Sequence, residues 1–178
     1  AATVGATARD ASVVLDGGGT RSATTGFCVE VRASLTLIGV RFARCGAACV
    51  SVAGAADALS VTDSHFTGSA CTTHGITAFA TLSGQIAFAL TLQRCAFDDI
   101  TGYGVENTKM RGSSEALTFA TGVIEDTEFV RISRSHPDNA LPSGTALSWY
   151  GRMGIERSLF YGCTCTAASG KTCNGGAH

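Results

Sequence analysis

The sequence is short of several things, and each shortage narrows the fold and the function. Only 15 % of its 178 residues are charged and the formal net charge is −1. A balance that close leaves no electrostatic footprint for nucleic acid or for an anionic membrane surface. There are two prolines. No apolar run approaches the roughly 18 residues that a membrane-spanning helix needs. None of the three asparagines, Asn107, Asn139 and Asn174, begins an N-x-Ser/Thr sequon. No stretch keeps apolar residues at i, i+3, i+4 and i+7, so long amphipathic helices are not expected. The stretch from Ala1 lacks the basic start and apolar run of a signal peptide. The expectation is one domain over 1–178, either a mature chain or an internal piece of a longer one.

What is abundant points to β-structure. The chain is 45 % hydrophobic and holds 22 glycines, with Ala, Thr, Ser and Val prominent. That suits strands joined by tight turns. Internal repetition is then the decisive signal. Five octets share one pattern: LTLIGVRF (Leu35 to Phe42), LSVTDSHF (Leu59 to Phe66), LTLQRCAF (Leu90 to Phe97), GVIEDTEF (Gly122 to Phe129) and MGIERSLF (Met153 to Phe160). Each ends in Phe. Five places earlier stands Leu37, Val61, Leu92, Ile124 or Ile155; two places earlier stands Val40, Ser64, Cys95, Thr127 or Ser158. The phenylalanines are spaced by 24, 31, 32 and 31 residues. A second strand follows most of them, as CVSVAG from Cys49, GITAFA from Gly75, GVENT from Gly104 and GTALSWY from Gly144, with an earlier copy CVEV from Cys28. Val13-Val14-Leu15 before Asp16-Gly17-Gly18-Gly19 reads as the strand and turn of an opening coil.

An antiparallel sandwich would not place the same octet, with Phe in the same seat, turn after turn. A stacked coil does, because equivalent positions sit about 4.8 Å apart along the axis and like side chains form ladders. The expected fold is all-β: a right-handed, single-stranded parallel β-helix, a solenoid of about six coils. Its hand follows from the bias of parallel crossovers. Phe42, Phe66, Phe97, Phe129 and Phe160 should form an inward aromatic stack, with Leu37, Val61, Leu92, Ile124 and Ile155 beside it. Thr62, Gln93, Glu125 and Glu156 should point outward.

The octet resembles the repeats of the pectin-lyase-like right-handed β-helix superfamily, and those of surface-protein arrays and viral spikes with that fold. The resemblance covers about Val13 to Phe160. It implies an architecture that hosts many functions. Members that cleave acidic, pectin-like glycans use clustered aspartates with a basic residue nearby. The candidates here are Asp98 and Asp99, with His74 in the preceding coil. Asp63 and Asp126 occupy matching strand positions in alternate coils. The hydrolase pattern places Gly-His-Gly after the aspartate pair, whereas the His-Gly here precedes it, and no Arg-x-Lys follows. The calcium cluster and catalytic arginine of the lyases have no clear counterpart. Turn residues and solvated outer positions are the plainer reading of these acids.

The eight cysteines favour an oxidising compartment. Cys28 and Cys49 begin matched strands, within disulfide reach if stacked in register. Cys45 and Cys71 share a loop region on adjacent coils. Cys173 could pair with Cys163 or Cys165, and Cys95 reads as a free core thiol. Cys163, Cys165, Cys173 and His178 lack zinc spacing, so no metal is expected, nor any cofactor. Arg131, Arg134 and His136 fall in the longest loop, with Pro137 and Pro142; a solvated loop is the plainer reading, contact with a partner or an acidic glycan the sharper one. Trp149 and Tyr150 could stack on a sugar or be core. Three functions follow in order: a non-enzymatic extracellular structural or adhesive module of a surface assembly, fibre or virion; a polysaccharide lyase or glycoside hydrolase; a glycan-binding module. The partners expected are protein neighbours at the coil ends and glycans, with an extracellular or cell-surface location.

Overall fold

The structure, a computed structural model, describes residues 2–5, 13–18, 26–52, 58–79, 88–108, 120–136, 145–149 and 151–167. The fold is an all-β parallel solenoid with no helix among the described residues. The first sheet stacks β1 (Ala2–Gly5), β4 (Leu35–Ile38), β7 (Ala58–Thr62), β10 (Ala89–Gln93), β13 (Thr121–Glu125) and β17 (Arg152–Glu156). The second stacks β2 (Val13–Asp16), β5 (Val40–Ala43), β8 (His65–Thr67), β11 (Ala96–Asp98), β14 (Glu128–Val130) and β18 (Leu159–Tyr161). The third stacks β3 (Phe27–Val31), β6 (Gly46–Val52), β9 (Cys71–Phe79), β12 (Tyr103–Thr108) and β16 (Leu147–Ser148). A short fourth pairs β15 (Ser133–His136) with β19 (Thr164–Ala167). The first five coils visit the three sheets in turn and the last visits the first, second and fourth; from β7 onward the turns settle to about 31 residues, seen in cross-coil contacts 31, 32 and 31 residues apart.

The register places the ladders. Phe66, Phe97, Phe129 and Phe160 lie opposite one another in the second sheet, and Leu37, Val61, Leu92, Ile124 and Ile155 do so in the first. The five rings stack at centroid distances of 4.8, 4.4, 4.8 and 4.9 Å. Glycine makes the space for them: a Cβ on Gly75 would lie 2.7 Å from the Phe97 ring, and one on Gly104 2.9 Å from that of Phe129.

One expectation needs correction. The octet is not a single strand. It bends between two sheets at the residue three before each Phe. Gly39, Asp63, Arg94, Asp126 and Arg157 all take positive φ there, between 45° and 63°. A side chain in this left-handed region is strained, so something must hold it. The residue after the bend supplies part of the answer. Ser64 Oγ donates to the Thr62 carbonyl (2.9 Å) and accepts the Val40 N–H of the coil before (3.1 Å). Thr127 donates to Glu125 O (2.9 Å) and accepts from Cys95 N–H (3.3 Å), and Ser158 repeats the motif on Glu156 O (2.8 Å) and Thr127 N–H (3.2 Å). That is why a small polar residue or thiol recurs two places before the Phe. A second bend lies two residues after the Phe, at Arg44, Asp99, Arg131 and Gly162, again with positive φ.

Candidate functional site

Charge lies along the two bends. At the first, Arg94 donates to Asp63 through Nε (2.7 Å) and Nη2 (2.9 Å), and Arg157 clasps Asp126 in the same way (2.7 and 3.1 Å). At the second, Arg44 holds Asp16, with Nε to Oδ1 at 3.0 Å and a second contact to Oδ2. Arg131 donates Nε to Asp99 Oδ1 (2.6 Å) and Nη2 to both Asp98 Oδ1 (2.6 Å) and Asp99 Oδ2 (3.0 Å). Asp63 and Asp126 are therefore bend residues, not strand positions, and Arg94 stands in the coil between them. The arginine beside each of Asp16, Asp99 and Asp126 holds its carboxyl below the usual carboxylate value. Asp98 and Asp99 are thus acceptors in a cross-coil clamp. The general acid of glycosidic cleavage must instead keep its proton, a role that the lowered pKa of Asp99 opposes.

His74 lies apart from this pair, on β9. Its Nε2 is 2.8 Å from Glu106 Oε2 and its Nδ1 is 2.8 Å from Thr73 Oγ1. Thr73 spends its hydroxyl hydrogen on the Ala47 carbonyl (2.8 Å), so Nδ1–H is the donor in the Thr73 contact. Both ring nitrogens are therefore engaged. The ring stacks on Tyr103 at 5.5 Å, and the Arg134 guanidinium carbon sits 4.0 Å above the other ring, that of Tyr103. Arg134 belongs to β15 and not to a loop, and burial draws its pKa down to about 10. Beside it Thr101, Ser133, Thr164 and Thr166 line an open groove of about 270 Å³. This hydroxyl-lined groove went unseen in the sequence because its residues come from three successive coils.

Trp149 is buried, 6.3 Å from Phe88 in ring centroids, and offers no open face for a sugar. Tyr150, Pro137, Pro142, Cys173 and His178 lie outside the described residues.

The disulfides differ from the expected pairing. Cys28 bonds Cys45 and Cys49 bonds Cys71, with Cα separations of 4.7 and 5.1 Å. Cys28 does stand opposite Cys49 in the register. Each, however, joins a cysteine of the next coil where the chain enters the third sheet, Cys45 beside the Arg44 bend and Cys71 at the start of β9. Cys165 is also disulfide-bonded, which removes it from any thiolate cluster, and Cys163 is free. Cys95 is free and buried, its Sγ 3.4 Å from the carbonyls of Val61 and Gln93. Two such disulfides fit an oxidising environment. No helix among the described residues is long and apolar enough to cross a membrane. Comparison with protein-family models, curated proteins and solved structures finds no match, so the family resemblance rests on the octet alone.

Proposed function

We propose that this chain is a non-enzymatic structural or adhesive β-helix module of an extracellular assembly, at a cell or virion surface, of the pectin-lyase-like type. The engagement of Asp98 and Asp99 by Arg131 carries the reading. The carboxylates best placed for glycan cleavage act as one clamp in a series that ties coil to coil. In such a stack stability is a sum of neighbour terms, so clamps at successive junctions stiffen a rod. The last coil supports a protein neighbour at the coil end. Ile155 is 41 % exposed, whereas its ladder equivalents Leu37, Val61, Leu92 and Ile124 are fully buried. Leu159 and Tyr161 are exposed beside it.

The test is incubation with uronate polymers, assayed for new reducing ends and unsaturated products, with Asp98→Ala and Asp99→Ala beside the parent chain. The expected result is no turnover by any of the three and a lower melting temperature for Asp99→Ala. Turnover by the parent that either substitution abolishes would replace this reading with a polysaccharide lyase or hydrolase. The groove of Thr101, Ser133, Thr164 and Thr166 favours a second reading, a glycan-binding module without turnover. It predicts glycan binding that Thr164→Val and Thr166→Val weaken.

A further inference from the structure

Among the described residues five junctions join six coils, and one is unlike the others. Between the second coil (β4, β5, β6) and the third (β7, β8, β9), the equivalent bend positions Gly39 and Asp63 are 24 residues apart, against about 31 further on. The second sheet narrows there to a single register pair, Arg41↔His65. The third sheet slips, since Gly46 faces Cys71 but Ala48 faces His74. The ring stack tilts: Phe42 and Phe66 meet at 27°, while later pairs lie within 10°. Among the described residues no charged clamp like those elsewhere spans this junction. Coils one and two share Asp16–Arg44, three and four Asp63–Arg94, four and five Asp98 and Asp99 with Arg131, five and six Asp126–Arg157. At the second-to-third junction Gly39 occupies the first bend, and no ion pair among the described residues crosses it. Beside the five register pairs of β6 with β9 and the Thr72 and Thr73 hydroxyl bonds to the Gly46 and Ala47 carbonyls, the covalent tie across it is the Cys49–Cys71 disulfide.

We propose that this junction is a redox-gated seam. The Cys49–Cys71 bond holds the first two coils on the rest of the stack, and its loss lets them open together while coils three to five stay stacked. The reductant is a small dithiol. It gives two electrons and two protons to the Cys49–Cys71 bond, leaving two thiols, and closes to its own disulfide. Both cysteines are fully buried, so the dithiol reaches the bond in transient local openings of the seam, and reduction then keeps it open. The first sheet, where β4 and β7 keep four register pairs, is the side about which the seam would hinge. Opening uncovers the Phe66 ring and the free edges of β7 and β8, a template for a parallel strand of another chain.

The experiment is hydrogen–deuterium exchange on the full chain, read by peptide. Three samples are compared in oxidising buffer: the parent, Cys49→Ala/Cys71→Ala, and Cys28→Ala/Cys45→Ala. A parent sample with a dithiol reductant provides a readout free of substitutions. Closing a loop of this size constrains opening on the order of 100-fold. Amides in 27–31 and 40–52 should therefore exchange roughly that much faster in Cys49→Ala/Cys71→Ala and in the reduced parent. Those in 90–105 and 121–132 should keep the parent rate. Cys28→Ala/Cys45→Ala should affect the first coil alone, because Asp16–Arg44 and full register pairing still hold it to the second. Equal acceleration across all coils in the reduced parent, or no acceleration in 40–52, overturns the proposal.

Discussion

Arg94 reaches back 31 residues to grip Asp63 with two nitrogens, and both residues sit in the same left-handed bend of consecutive coils. The pair fastens two strained corners to each other. The same geometry recurs at Arg157 and Asp126. The bends are exposed, so the pairs are screened by salt, and their value lies in repetition along the stack.

Acid should loosen the stack in a defined window. Asp16, Asp99 and Asp126 titrate below the ordinary value of 3.8 because an arginine holds each charged form. A depressed folded-state pKa gives stability that is complete above the unfolded value and lost as pH falls through the folded one. Their part in the melting temperature should be constant at neutral pH and fall below about pH 4. Added salt should flatten that fall. A thermal melt series over pH 2–7 at two salt concentrations checks both.

The aromatic stack should dominate stability. Phe97 is fully buried between Phe66 and Phe129. Phe97→Ala should cost about 3–5 kcal/mol by denaturant titration. Phe160→Ala should cost less, since that ring stacks on Phe129 alone in the described structure and is only half-buried.

Overpacking should fail at the positions that make room for the rings. Gly75→Ala places a methyl 2.7 Å from the Phe97 ring and 2.6 Å from the Gly104 carbonyl. A loss of about 1–3 kcal/mol is expected, with normal strand content by circular dichroism.

Cys95 should be silent towards alkylation. Burial pushes its thiol up to about 11, so thiolate is scarce at neutral pH. Iodoacetamide should label it only on unfolding. Cys95→Ser should keep the fold, because a hydroxyl there repeats the Ser64 and Thr127 motif. Cys95→Ala removes the side-chain acceptor for the Ser64 N–H and should cost about 1–2 kcal/mol.

The terminal Phe of the octet made the solenoid legible, because only a common axis explains one residue in one seat at nearly equal spacing. The acids at the bends were legible as turn residues, but the arginines that alternate with them were not. Three places before each Phe the sequence runs Gly39, Asp63, Arg94, Asp126, Arg157, a glycine followed by alternating opposite charges. Asp63 and Asp126 read as turn residues, as they are, but the pattern shows its purpose only when Arg94 is set between them. The disulfides could not be read from matched strands, because Cys28 and Cys49 lie opposite in register yet each bonds a cysteine nearer the start of the third-sheet strand in the next coil. The environments of His74 and Arg134 depend on Glu106 and Tyr103, residues brought close by stacking and not by sequence.

Every arginine of the four clamps lies in the later coil and every aspartate in the earlier one. A chain emerging amino terminus first therefore presents each new guanidinium to a carboxylate already laid down. Such an order lets the rod zip forward during synthesis instead of waiting for its last residue. In a set of ribosome-stalled lengths, the force of folding should step up as Arg94, Arg131 and Arg157 clear the exit tunnel in turn.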